Sequence, residues 1–297
     1  MFFCRVILCL SFFSQILWGG TSGWCASPVE EFFQEARQDG RFVLPGQEEV
    51  TRAEVLFARL LQGETAEQLS SPWHALGYKI QDISQDGKEL VVLMEEPLRK
   101  EGRGFFLFRR SNKASHMLMI PHGFKDVRTD VIGLALFMER DFTVGAWNTV
   151  PRYKNREDKS LQQDFGKQPS SYFSALTRAF AGSKMHEKVY QLHGFSTKKR
   201  ESAAGKKAGV ILSGGSGKVR QDVRTLGHCL QAIVAEPVLL YPSEVHELGG
   251  TTNISGKILR NMGHGGFVHI ELSRPLRQRL SKDSDLSKSF GSCLETL

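Results

Sequence analysis

The segment from His116 to Leu272 alternates short apolar runs with helical stretches, and this alternation restricts the fold more than any other feature of the sequence. The runs predicted as strands are His116–Ile120, Phe142–Trp147, Lys188–Leu192, Ala208–Leu212, Pro237–Tyr241 and Gly266–Leu272. The stretches predicted as helices are Thr129 or Asp130 to Arg140, Ser170–Ala181, Val219–Val234 and Thr251–Met262. Such alternation is typical of α/β domains. We therefore expect an α/β fold with a mixed, mostly parallel sheet flanked by helices.

Residues 27–115 carry an α+β pattern instead. The predicted helices are Pro28–Arg37 and Thr51–Leu61, the second with Thr51 and Glu54 as a capping box, and the predicted strands are Gly77–Ile83, Glu89–Glu95 and Gly104–Arg109. We expect this region to belong to the same domain as residues 116–297, which would form an α/β catalytic region with a C-terminal tail. A chain of 297 residues allows one large domain or two small ones.

Residues 1–26 have the layout of a secretory signal peptide. Arg5 precedes the apolar run Val6–Trp18, and small residues follow. The run is shorter than the ~20 residues of a membrane span, so a retained anchor is the less favoured alternative. We expect a periplasmic or secreted protein with no stable membrane insertion after cleavage. Cys229 and Cys293 could pair in that oxidising environment.

The net charge of the chain is mildly positive. Lys and Arg number 39 against 32 Asp and Glu, which gives +7. Such a balance is compatible with anionic ligands, but it is too diffuse to indicate a nucleic-acid partner. We therefore expect no nucleic-acid partner.

Three predicted strands carry unusual polar residues at their carboxyl ends, where α/β proteins bind ligands. His122 and Asp126 follow the first strand, and His193 follows the third. His269 and Glu271 lie within the last strand, and their spacing of two places both on one face.

Two histidines and a carboxylate form the donor set of a catalytic zinc site that keeps a fourth position open for water. A nearby glutamate outside that set can act as the general base. His122, Asp126 and His193 could be the ligands and Glu271 the base. Each histidine could instead be a hydrogen-bonded loop residue, and Glu271 could form a salt bridge with Arg274 or Arg277.

The motif order resembles the N-formylglutamate amidohydrolase and poly-γ-glutamate hydrolase group of the zinc carboxypeptidase-like hydrolases. The motifs are PHG with a following Asp and Thr, then NTVPR, then a strand ending LHGF, and finally VHIELSRPLR. The resemblance covers roughly His116 to Leu280.

This resemblance implies a zinc carboxypeptidase-like (phosphorylase/hydrolase-like) fold and one Zn²⁺ per chain, with Glu271 as the catalytic base. By position, the zinc ligands would be His122, Asp126 and His193. Arg152 would bind a substrate carboxylate or the oxyanion, since a guanidinium fork suits such groups. We assign Arg152, Asn148 and Arg274 to substrate binding.

The sequence also departs from the group. Its acidic ligand is Asp at a spacing of four, where many relatives carry Glu at another spacing, so Asp130 or Glu139 are alternatives and His269 could compete as a ligand. We therefore predict an exported zinc-dependent amide hydrolase acting on a small acidic N-acyl amino acid or peptide, possible substrates being γ-glutamyl or cell-wall peptides. The alternative is a non-catalytic exported binding protein that has kept the hydrolase fold.

Two other features are set aside. The segment LSGGSGKV lacks the residues of a phosphate-binding P-loop, and Ser213 within it lacks the spacing of a nucleophile elbow. The basic segment Lys198–Lys207 is expected to be an exposed loop without a binding role.

Overall fold

The structure is a computed structural model that describes residues 27–37, 42–111, 113, 115–152 and 164–296. Its helices are α1 (Pro28–Ala36), α2 (Gln47–Leu61), α3 (Ala66–Ala75), α4 (Thr129–Glu139), α5 (Tyr172–Ser183), α6 (Ala203–Lys207), α7 (Gln221–Ile233), α8 (Ile254–Asn261), α9 (Arg274–Leu280) and α10 (Ser284–Leu294). Its strands are β1 (Tyr78–Gln85), β2 (Lys88–Glu95), β3 (Phe105–Arg109), β4 (His116–Ile120), β5 (Phe142–Trp147), β6 (Val189–Phe195), β7 (Val210–Ser213), β8 (Val238–Leu240) and β9 (Phe267–Ser273). The predicted signal peptide, residues 1–26, lies outside the described part. None of the described helices is long and apolar enough to cross a membrane.

The strands form one sheet in the order β1-β2-β3-β5-β4-β6-β9-β7-β8. Its four central strands, β5, β4, β6 and β9, are parallel to one another. β3 pairs antiparallel with β5 on one side, and β7 pairs antiparallel with β9 on the other. The expected mixed α/β sheet, with helices on its faces, is confirmed, and its central parallel strands are those predicted from His116 onward.

Each face of the sheet has its own hydrophobic core. On β4, Leu118 and Ile120 belong to the core shared with α1, α4, α7, α9 and α10. Met117 and Met119 belong to the opposite core, shared with α2, α3, α5 and α8. Successive side chains of a strand point to opposite faces, so a strand covered on both sides is a continuous apolar run. This explains why the central strands are recognisable in the sequence.

The start of α2 lies four residues before the predicted one, whereas α4 starts at one of the two predicted residues. α2 begins at Gln47, because the Glu49 side chain accepts a hydrogen bond from the Gly46 N–H, at 2.9 Å, and closes the first turn there. Thr51 is therefore inside the helix and not at its cap. α4 begins at Thr129 after Arg128, which has a left-handed backbone (φ 78°), so Thr129 and Asp130 lie in its first turn.

The C-terminal tail is attached to the body of the protein by a disulfide. Cys229 of α7 and Cys293 of α10 are bonded, with 5.7 Å between their Cα atoms. The Tyr190 hydroxyl adds a hydrogen bond to the Leu294 carbonyl, at 2.5 Å. The pairing that the sequence left open is thus present in the structure.

Candidate metal centre

The polar residues of β6 and β9 share one face of the sheet. Val189 and Phe267 are apolar and belong to the core beneath α5 and α8. Further along the same face stand four buried polar side chains, namely Gln191, His193, His269 and Glu271. β4, β6 and β9 are neighbouring parallel strands, so the loop after β4 reaches the same edge of the sheet. The strand-end residues singled out in the sequence therefore converge.

A single turn after β4 places Asp126 beside His122. The N–H groups of Lys125 and Asp126 both donate to the His122 carbonyl, at 2.9 and 2.8 Å. Residues four apart in such a turn lie on one side of it. The spacing of four therefore brings the shorter Asp side chain close to His122.

Three side-chain atoms from His122, Asp126 and His193 face one another. The two Nδ1 atoms are 3.1 Å apart, and Asp126 Oδ2 lies 3.7 Å from His122 Nδ1 and 3.4 Å from His193 Nδ1. Donors at ~2.0–2.1 Å from a tetrahedral zinc ion are separated by about 3.3 Å. All three residues are buried. The group therefore fits a metal ion of this size.

The far nitrogen of each ring is occupied by another side chain. His122 Nε2 lies 2.8 Å from Asp164 Oδ1, and His193 Nε2 lies 2.9 Å from Gln191 Oε1. A carboxylate can only accept, and Asn253 Nδ2 also donates to Gln191 Oε1, so both Nε2 atoms carry the protons. In the neutral rings, both Nδ1 atoms then present lone pairs to each other. This is the tautomer that a metal requires.

The surroundings of these residues favour an ionised Asp126 and a neutral His193. Burial opposes ionisation of Asp126, but the adjacent rings of His122 and His193 outweigh it and lower its pKa. Burial, with the nearby His269, lowers the pKa of His193 to about 4. Burial also acts on His122, but Asp126 and Asp164 outweigh it and raise its pKa. As the pH falls, protonation would therefore compete with metal binding at His122 before it does so at His193.

Glu271 lies next to this group on β9. It is opposite His193 in the register of β6 and β9. Its carboxylate lies 3.3 Å from His269 Nε2, and it forms no ion pair with Arg274 or Arg277, all of which are described. The alternative in which Glu271 is held by one of these arginines is therefore wrong.

The alternative ligands have other partners or positions. Asp130 forms an ion pair with Arg37. Glu139 is an exposed residue at the last position of α4. His269 Nε2 faces the Glu271 carboxylate, and its ring packs on that of His193 with 4.5 Å between centroids. The geometry thus favours Asp126 as the acidic member of the group.

The three residues assigned to substrate binding occupy different places. Arg152 lines the cavity and forms an ion pair with Asp164, so it also holds the carboxylate that orients His122. Arg274 lines the cavity as well and is exposed. Asn148 is buried, with Oδ1 accepting from the Gly123 N–H at 2.7 Å and Nδ2 donating to the Val150 carbonyl at 2.6 Å. The structure therefore places Asn148 where it positions the His122 loop.

The group opens into a cavity of about 760 Å³. Among the described residues its walls carry more cations than anions. The cations are Lys125, Arg152, Lys167, Lys199, Arg200, Arg274 and Arg277, and the anions are Asp126, Asp164 and Glu271. Lys199 and Arg200, from the basic segment Lys198–Lys207, line this cavity. That segment was expected to be a loop, but its second half is helix α6 (Ala203–Lys207).

Asp164 and Gln191 were missed in the sequence. Gln191 stands two residues before His193 on the same strand, and a polar residue at that spacing on a buried strand was a usable signal. Asp164 has no such signal, because its place beside His122 depends on contacts between distant segments. Both orient a histidine of the group.

Comparisons with known proteins give structural likeness only. No protein-family model matches the sequence, and no curated protein matches it. An N-formylglutamate amidohydrolase from Ralstonia eutropha JMP134 is 14% identical, over 62% of this chain and 93% of that one, with a TM-score of 0.44. Tripeptide-bound Csd4, a cell shape determinant from Helicobacter pylori, is 14% identical over 63% of this chain, with a TM-score of 0.40, and the match spans about half (52%) of Csd4. A metallo-carboxypeptidase from Burkholderia cenocepacia is 9% identical over 82% of this chain and 69% of that one, with a TM-score of 0.35.

Proposed function

We propose that this chain is an exported zinc-dependent amide hydrolase that cleaves a small acidic N-acyl amino acid or peptide, with γ-glutamyl and cell-wall peptides as candidate substrates. One observation carries the proposal. The Nδ1 atoms of His122 and His193 face each other at 3.1 Å with the Asp126 carboxylate beside them. Two lone pairs at that distance repel unless a metal ion or a proton lies between them.

The donor set supports zinc. Two imidazoles and one carboxylate are three protein ligands, the number that catalytic zinc sites use. A zinc ion bound there would act as a Lewis acid and lower the pKa of water to about 7. Asp164 and Gln191 keep the Nδ1 lone pairs of His122 and His193 directed at the site.

Glu271 is placed to move the proton. Its carboxylate stands one strand away from His193 and lies 3.3 Å from His269 Nε2. It would take a proton from the attacking water as the water oxygen bonds to the carbonyl carbon. The same proton would then pass to the amide nitrogen as the C–N bond breaks, which leaves Glu271 ionised again.

The cavity and the disulfide support the remaining parts of the proposal. Excess Lys and Arg in the cavity wall favours anionic substrates. The Cys229–Cys293 bond is typical of oxidising compartments, which agrees with the leader-like residues 1–26. The non-catalytic alternative does not require His122, Asp126 and His193 to meet beside Glu271, so their convergence supports the hydrolase.

Metal content tests the proposal directly. Mass spectrometry of the purified protein should give about one zinc per chain. The His122→Ala/His193→Ala double variant should lose it with the fold retained, whereas His246→Ala, an exposed histidine, should keep it. The parent should also release amine from N-acyl glutamates or γ-glutamyl peptides. A parent protein that takes up no added zinc would overturn the hydrolase and leave the binding protein.

A further inference from the structure

Arg277 is a buried cation that the proposed reaction does not yet use. It lies on α9, is 5% exposed and lines the cavity. Its Nη2 donates to the Phe195 carbonyl at 3.4 Å, while Nε and Nη1 have no hydrogen-bond partner in the described part of the chain. A buried guanidinium with unpaired N–H groups costs free energy. Its environment therefore suits an acceptor that the protein itself does not supply.

The position of the guanidinium is fixed by Gly194. A Cβ atom at residue 194 would lie 1.5 Å from Nη1 and 2.3 Å from the central carbon of the Arg277 guanidinium. Only glycine leaves that space, so the group lies flat on the backbone directly after His193. Arg277 is thus held beside His193, one of the three candidate metal ligands.

Two carboxylates, Asp126 and Glu271, and two further cations, Arg274 and Arg128, act on the charge of Arg277. Burial lowers the pKa of Arg277, and the carboxylates of Asp126 and Glu271 oppose that shift. Neither carboxylate forms an ion pair with it, whereas Arg152 across the cavity is paired with Asp164. Lys199 and Arg274 line the same cavity. Arg277 therefore has buried, unpaired N–H groups beside Gly194, whereas Arg152 is paired with Asp164.

We propose that Arg277 binds a carboxylate of the substrate and so selects acidic amides. The inference rests on the proposed function, since it places that carboxylate beside the group that would hold the metal. An arginine fork matches a carboxylate better than a lysine ammonium does. Arg277 would then determine specificity, and Gly194 would keep its guanidinium in place.

Calorimetric titration with glutarate and with its neutral diamide, glutaramide, tests this on the metal-loaded protein. Arg277→Gln should weaken glutarate binding roughly 10- to 100-fold, the effect of losing charged hydrogen bonds, and leave glutaramide binding unchanged. Arg277→Lys should not restore it. Gly194→Ala, which keeps the arginine but fills its space, should also weaken glutarate binding. Arg279→Gln, on the same helix but paired with Glu236 outside the cavity, is the matched control.

Several results would overturn the inference. One is that the parent protein binds glutarate no more tightly than glutaramide. Another is that Arg277→Gln binds glutarate as tightly as the parent. A third is that Arg277→Lys binds glutarate as tightly as the parent. A lower kcat with unchanged glutarate affinity would assign the guanidinium to the reacting carbonyl and would equally overturn it. Absence of zinc or of amide hydrolysis in the parent protein would instead refute the proposed function, and these two measurements do not depend on Arg277.

Discussion

His193 and Glu271 lie directly opposite each other on the neighbouring parallel strands β6 and β9. Adjacent strands are about 4.8 Å apart, so the candidate ligand and the candidate base stand at one level of the sheet. The two residues are 78 positions apart in the sequence, yet the register of two strands sets their separation. The predictions below test what this arrangement does.

Glu271→Gln should retain zinc and lose turnover. Glutamine keeps the size of the side chain but cannot accept the proton, so kcat should fall by about 10²- to 10⁴-fold. Zinc content and amine release would be measured on the same preparation, with the exposed Glu31→Gln as control. An active Glu271→Gln enzyme would exclude Glu271 as the base.

Asp164→Asn should weaken zinc binding by roughly 10- to 100-fold, the usual effect of losing a side chain that orients a ligand. The change removes the negative charge that faces His122 Nε2 and the ion-pair partner of Arg152 together. Chelator competition would measure the affinity. Asp285→Asn, with a side chain 94% exposed, is the control, and equal affinities in the two variants would contradict the orienting role.

Zinc affinity should decrease as the pH falls. Binding requires both Nδ1 lone pairs, and the raised pKa of His122 means that its protonation competes first. His193, whose pKa is lowered to about 4, stays neutral until the pH approaches that value. The affinity should therefore lose about tenfold per pH unit once His122 is protonated, and fall more steeply below about 4. An indicator titration from pH 8 to pH 4 would show this, and a constant affinity over that range would refute it.

Reducing the Cys229–Cys293 bond should lower the free energy of unfolding by about 4 kcal/mol, the chain-entropy value for a loop of this length. The bond joins residues separated by 64 positions. Urea unfolding with and without a reductant would measure the change. The Cys229→Ser/Cys293→Ser variant should start at the lower stability and be insensitive to reductant. Equal stability of the oxidised and reduced parent would show that packing of α10 alone holds the tail.

The central strands could be predicted because they are buried on both faces. β4 and β5 have the predicted ends, His116–Ile120 and Phe142–Trp147. The carboxyl ends of neighbouring parallel strands lie at one edge of the sheet. This explains why His122, Asp126 and His193 could be expected to converge.

Two helix features were missed although local patterns encode them. The start of α2 depends on the hydrogen bond between Gly46 and Glu49, three residues apart, and α3 has a capping box formed by Thr65 and Gln68.

Other features depend on contacts between distant segments. Asp164 reaches His122 across 42 positions, and the guanidinium of Arg277 reaches Gly194 across 83. Such long-range pairs follow from the packing of the whole domain.

The contact between Arg277 and Gly194 also restricts how this sequence can change over generations. Any larger residue at 194 displaces the guanidinium, so a mutation there is tolerated only after 277 has become smaller. The two positions are therefore expected to covary. Descendants that keep arginine at 277 will keep glycine at 194, and those that lose one will lose the constraint on the other.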